Sequence, residues 1–219
     1  MITVIYFWTV EPKHVLQAIV RMALDRRALK KNASISFFKL LGTGKGETFT
    51  PRDANSLRWG LLVTIKEEEL EKFGQASVCN RWRKISTSEY RAILKPISSH
   101  GQWSMREPFT VEKFDWAGPV AAITRARIKW RMNPKFWSAV PPVTLSLHSS
   151  PGLRNAIGIG EAPLGLQGTF SIWESAADLR AFAYQGSAHI EAINKTKELD
   201  WYAEELFARF AILEESGSL

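Results

Sequence analysis

Two stretches decide how this chain reads: Leu61-Leu-Val-Thr-Ile-Lys-Glu-Glu-Glu-Leu-Glu-Lys-Phe73 and Phe170-Ser-Ile-Trp-Glu-Ser-Ala-Ala-Asp-Leu-Arg-Ala-Phe182. At an offset of 109 residues, Leu61 meets Phe170, Val63 meets Ile172, Leu70 meets Leu179 and Phe73 meets Phe182. The first two pairs are spaced by two, the period of a strand. The last two are spaced by three, the period of a helix face. Each stretch therefore reads as an alternating strand running into an amphipathic helix. The offset is half of the 219 residues, so one such unit is expected in each half.

The flanks extend the pattern. In the first half, Ile2–Val10 reads as a strand and His14–Lys31 as a helix with Pro12 near its start. Ile35–Leu41, Leu57–Ile65 and Tyr90–Ile97 read as strands, with a loop over Gly42–Asn55 and a helix over Glu67–Ala76. In the second half, strands are expected at Val120–Lys129, Ala156–Gly160 and Gly168–Trp173, and helices at Pro134–Val140, Ala176–Phe182 and around His189–Lys197. Leu206, Ala208, Phe210 and Ile212 alternate as a last strand. The order is β-α-β-β-α-β twice, which is the ferredoxin-like unit. The expected fold is α+β, with tandem ferredoxin-like repeats over residues 1–97 and 119–219 and a connection over 98–118. Closure of both sheets within one chain would leave no exposed strand edges.

Composition narrows the class. The chain is 45% hydrophobic and 23% charged with 14 Gly and 10 Pro, which excludes disordered, collagen-like and low-complexity readings. Its single cysteine, Cys79, forms no internal disulfide and no cysteine-based zinc site. The opening Met1–Trp8 is apolar, but Glu11, Lys13 and His14 follow at once, so it does not read as a secretory signal. No run of about 18 apolar residues occurs. A cytoplasmic, reducing location is expected, with contact at a membrane surface left open. Two features stand out: nine tryptophans and a net charge of +7. Tryptophan supplies large flat apolar surface to a core, a pocket or a membrane interface.

Four histidines are present, His14, His100, His148 and His189. The first three fall in a helix start or polar loops, where a solvated side chain is the default. His189 follows the second strand-helix unit directly, after the helix-interrupting Gly186. A neutral imidazole there could coordinate a metal or a haem iron, or lie buried against a carbonyl. Its repeat partner, Asn80, is a poor iron ligand. Cys79, beside Arg81, is either a thiolate ligand or a packed thiol. Gly42-Thr-Gly-Lys-Gly-Glu-Thr48 fails the phosphate-loop pattern, and Gly158-Ile-Gly160 lacks the third glycine of a dinucleotide fingerprint. Both read as turns or close-approach sites. No G-x-S-x-G or H-E-x-x-H occurs. Basic residues mix with aromatics in Arg125–Trp137 and dominate His14–Lys31. That suits RNA, an anionic membrane, or a solvated strand face; no nucleic-acid motif supports the first.

Several motifs taken together resemble one family. Phe37-Phe-Lys-Leu-Leu-Gly-Thr-Gly-Lys-Gly-Glu-Thr-Phe-Thr-Pro51, Gly101-Gln-Trp-Ser-Met-Arg-Glu-Pro-Phe109, Gly118-Pro-Val-Ala-Ala-Ile-Thr-Arg-Ala126, Ile157-Gly-Ile-Gly-Glu161, Thr169-Phe-Ser-Ile-Trp173 and Trp201-Tyr-Ala-Glu-Glu-Leu-Phe-Ala-Arg-Phe210 look like the spheroidene monooxygenases, in order and over nearly the whole chain. The resemblance implies a b-type haem and an acyclic carotenoid substrate hydroxylated and then oxidised to a ketone at C-2. It also implies reduced ferredoxin as electron donor. Phe170-x-Ile-Trp-x-Ser175 with Ser187-Ala-His189 is similar to haem-degrading monooxygenases of the dimeric α/β-barrel type, here as an intrachain dimeric α/β-barrel. That likeness implies His189 as the proximal iron ligand. Trp173 and Trp201 then fall beside the expected haem helix, and Arg106 or Arg125 is the candidate bidentate partner of a propionate. Haem breakdown, or a non-catalytic haem- or lipid-binding module, are the alternative functions. Trp130 and Trp137, among Arg127, Lys129, Arg131 and Lys135, are the expected peripheral membrane contact. The positive charge suits a membrane or an acidic ferredoxin.

Overall fold

A computed structural model of the chain describes residues 1–44, 53–132, 144–161, 168–185 and 201–219. The predicted helices at 134–140 and 189–197, with Trp137 and His189, lie outside the described residues.

The first half contains β1 (Ile2–Val10), α1 (Val15–Lys31), β2 (Ile35–Gly44), β3 (Ala54–Ile65), α2 (Leu70–Gly74), α3 (Ser77–Arg83) and β4 (Ser86–Gly101). The second contains β5 (Val120–Ile128), β6 (Leu153–Gly160), β7 (Gly168–Trp173), α4 (Ala176–Gln185) and β8 (Tyr202–Ser216). Every strand is antiparallel to both of its neighbours, in the closed order β1-β3-β2-β6-β7-β5-β8-β4. Within the first half the order is 4-1-3-2. The second half repeats it as β8-β5-β7-β6.

The halves meet along two unequal seams. β4 and β8 pair over ten positions from Arg91↔Ser216 to Gly101↔Leu206. Pro96, which has no N–H to give, sits where that register shifts. β2 and β6 pair over three positions, Gly42↔Gly160, Thr43↔Ile159 and Gly44↔Gly158. The two glycine stretches are therefore one seam, with strand edges approaching where four residues lack a side chain. This corrects the two ends of the loop expected over Gly42–Asn55, since β2 runs through Gly44 and β3 begins at Ala54; residues 45–52 lie outside the described residues.

Side chains on the inner face of the ring form one core, including Ile5, Phe7, Leu62, Ile123, Phe170 and Phe210. The outer face of each half has its own layer. In the first half, α1, α2 and α3 cover Val4, Tyr6, Trp8, Leu61 and Val63. In the second, Val120, Ala122 and Trp173 meet Leu179 and Phe182 of α4.

Two expectations need correction. Leu61 and Val63 face outward into the helical layer, whereas Phe170 and Ile172 face the inner core. The structural partner of Phe170 is Leu62, at an offset of 108. Leu70 and Leu179, by contrast, do occupy corresponding helix faces at 109, because the strand-to-helix connection is one residue longer in the second half. A one-residue slip in a strand exchanges its faces. The connection between halves also starts later than expected, because β4 continues through Ser98–Gly101. The segment after Gly101 is no free linker: Trp103 and Phe109 enter the inner core.

Candidate functional site

The two outer faces can be compared row by row, because Ile2 pairs with Ile65 as Val120 pairs with Trp173. One first-half row runs Leu40–Leu61–Tyr6–Arg91, and the next Phe38–Val63–Val4–Ile93. The matching second-half rows run Gly158–Thr169–Thr124–Phe207 and Ala156–Ser171–Ala122–Arg209. Gly44 pairs with Gly158 and extends the first of these across the seam. Six large apolar positions have thus become Gly, Ala, Ser or Thr. At the next row, Trp8 corresponds to Ala126. The second half presents a shelf of small side chains where the first presents rings and branched aliphatics.

Trp173 bounds the shelf. It is fully buried, its indole N–H donates to Ser171 Oγ at 2.9 Å, and its ring stacks on Phe182 of α4 at 5.3 Å. Arg209 stands on β8 at the side of the shelf, in the row next to that of Trp173. Its guanidinium donates to the Tyr184 hydroxyl at 3.2 Å and lies 5.6 Å from that ring's centre. Arg209 was legible in principle: the alternation of Leu206, Ala208, Phe210 and Ile212 puts it on the other face. The shelf rows carry no carboxylate; apart from Phe207 and Arg209 at their β8 end, they hold only Gly, Ala, Ser and Thr.

Arg125 lies on the other side of the sheet. Its side chain is 5% exposed and pairs with Glu161 and Glu204. Its guanidinium sits 5.5 Å from the centre of the Trp103 ring. Trp103 donates its indole N–H to Glu161 Oε1 at 2.6 Å, and Lys39 bonds Glu161 Oε2. Glu204 accepts the backbone N–H groups of Ser104 and Met105 at 3.1 and 2.8 Å. Those two residues hold φ of 56° and 60°, a turn that few non-glycine residues adopt. Lys39 comes from β2, Arg125 from β5, Glu204 from β8 and Trp103 from the connection, so the cluster latches the connection into one end of the ring. Burial pushes Glu161 and Glu204 up. For Glu161 the hydrogen bonds from Lys39 and Trp103 outweigh that, and for Glu204 those from Met105, Arg125 and Ser104, so both end below the usual carboxylate value. Arg125 is thus matched by two carboxylates and points away from the shelf.

The other candidates are dispersed. Arg106 is exposed on the connection, and its carbonyl accepts the Trp103 N–H at 2.8 Å. Trp201 is buried at the head of β8. Cys79 is buried in the first-half layer and donates to the Phe73 carbonyl; burial pushes its thiol up to about 12. It is a packed thiol at neutral pH. Arg81 pairs instead with the buried Asp25 of α1 at 2.5 Å. His14 contacts Gln17, and among the described residues no cluster of three metal-ligating side chains occurs.

No family model matches the chain. Among known proteins, a spheroidene monooxygenase of Rhodobacter capsulatus is 38% identical over 205 residues, spanning 91% of this chain and 85% of the relative. One from Cereibacter sphaeroides is 33% identical, spanning 90% of this chain and 62% of that protein. One from Rubrivivax gelatinosus is 34% identical over 183 residues, spanning 83% and 70%. Among solved structures, an aldoxime dehydratase superposes with a TM-score of 0.60 at 9% identity, over 99% of this chain and 83% of its own. That likeness concerns the fold alone.

Proposed function

The chain belongs to the spheroidene monooxygenase family, and from this premise we propose that it is a haem-dependent monooxygenase. In this reading it hydroxylates, then oxidises to a ketone, the C-2 position of an acyclic carotenoid, using dioxygen and electrons from a reduced ferredoxin. The observation that carries the reading is the shelf. Protein interiors are close-packed, so a sheet face that gives up six large side chains suits a flat apolar group between sheet and helices. The same reading takes the ring as two fused ferredoxin-like halves, an intrachain dimeric α/β-barrel in which one half keeps its packed core and the other holds the cofactor.

Haem, when bound, supplies an iron centre that takes up electrons and activates dioxygen. His189, four residues beyond α4 in sequence, is the proposed iron ligand. Trp173 and Phe182 form an aromatic wall that orients a flat ring system and keeps water out. Arg209 offers a carboxylate partner at the shelf's edge, with the guanidinium fork suited to bidentate bonding. It meets that role better than Arg125, whose charge two glutamates already balance, or Arg106 on the exposed connection. The small floor carries no charge, which suits a substrate without charge.

The test is product analysis in a carotenoid-producing host. Expression should yield a hydroxylated or keto carotenoid, and His189→Ala should abolish it. A biliverdin-like pigment with unchanged carotenoids would overturn the reading.

A further inference from the structure

α1 is anchored on one side only. Ala18, Asp25 and Leu29 are buried against the first-half sheet and α3. The opposite side carries Leu16, Ile19, Val20 and Leu24, exposed by 73, 43, 47 and 54%. Ala23 lies in the same stripe and is also exposed. At 100° per residue these five positions fall on one face of the helix. Directly after Leu24, the same face continues as Arg26, Arg27, Lys30 and Lys31, all exposed. The helix's one acid, Asp25, points inward and is paired with Arg81. The solvent side of α1 is therefore apolar in its first turns and cationic in its last, with no negative charge.

We propose that this face docks the protein on an anionic lipid bilayer. An apolar stripe with adjacent cations is the arrangement that lies in a membrane interface, the stripe at the acyl boundary and the cations among lipid phosphates. Charge decides between lipid and a second copy of the chain. A parallel pair of α1 helices would set Arg27 and Lys31 against their own copies. An antiparallel pair would bury the same cations, unpaired, over the partner's Leu16–Leu24 stripe. The proposal moves the membrane contact from the Trp130 region, where the sequence suggested it, to the opposite half. It is independent of the oxygenase reading.

Co-sedimentation with vesicles tests it, using phosphatidylcholine alone or mixed equally with phosphatidylglycerol. The wild type should bind the anionic vesicles, weakly at high salt and weakly to phosphatidylcholine alone. Leu16→Ser with Leu24→Ser should lower partitioning at least about tenfold, and Arg27→Glu with Lys31→Glu by a similar factor. All four positions are exposed, and circular dichroism should show an unchanged fold. Carotenoid conversion in neutral detergent micelles should be the same in all three proteins, so the site and the docking face are read separately. Equal vesicle binding by wild type and both variants, or none by the wild type, would overturn the proposal. So would a dimer in sedimentation velocity that Leu16→Ser with Leu24→Ser dissolves.

Discussion

The two halves share a strand order and differ in what their outer faces carry. In the first, Tyr6 stacks on Trp8 at 5.1 Å and Trp8 on Trp82 at 5.4 Å, and three helices close over them. In the second, the equivalents of Tyr6 and Trp8 are Thr124 and Ala126. One face is filled to make a core, while the other is cleared at matching positions. On the proposed function, the packed aromatic layer and the haem site fall in different halves. The shared strand order allows this, because each half has its own outer layer and the proposed function needs one site.

The comparison breaks first at its filled side. Trp8→Ala removes a buried ring and leaves Glu89 without its 2.6 Å indole donor; it should cost about 3–5 kcal/mol in urea unfolding. If the cost is under about 1 kcal/mol, the first-half layer does not carry the stability assigned to it. The latch between halves comes next. Glu204→Gln leaves the Arg125 charge under-balanced in a buried site and should cost about 3 kcal/mol, measured the same way. Copying first-half residues into the second, as Thr124→Tyr with Thr169→Leu, should weaken hemin binding about a hundredfold, or about 2.7 kcal/mol, with the fold retained. Acid sharpens the account of the latch. Glu161 and Glu204 sit below their unfolded values, so their contribution is full above roughly pH 4.3 and is lost as pH falls through the lowered values. The urea midpoint of the wild type should therefore drop more steeply in acid than that of Glu161→Gln with Glu204→Gln. The smallest effect belongs to Arg209→Ala, which should weaken hemin binding by about tenfold, near 1.4 kcal/mol. Arg106→Ala should leave it unchanged.

Much of this organisation was legible in the sequence, and the failures have physical causes. The strand β8 alternates cleanly, and Leu206, Ala208, Phe210 and Ile212 all enter the inner core. The strand order shared by the two halves was legible as well, but the match of Leu61 to Phe170 and Val63 to Ile172 had the wrong register. β3 is apolar on both faces through Leu61-Leu62-Val63, so a match by apolar character does not distinguish inward from outward. α3 leaves no clear helical pattern although Val78, Cys79 and Trp82 all enter the core, because seven residues are too few to repeat the period. The shelf could not be found from any single segment. Its floor is Ala122, Ala156 and Ser171, three unremarkable residues on three strands, and only pairing makes them one surface. The Arg125 latch is similar: alternation with Ala121 and Ile123 turns it inward, but its two carboxylates come from Glu161 and Glu204, far away in the chain.

The claim that the cleared face of the second half receives haem is tested most directly by a hemin titration followed in the Soret region. Wild-type protein should shift the Soret band with saturable, one-to-one stoichiometry, and Thr124→Tyr with Thr169→Leu should lose that shift while keeping the wild-type circular dichroism. An identical shift and affinity in both proteins would contradict the account.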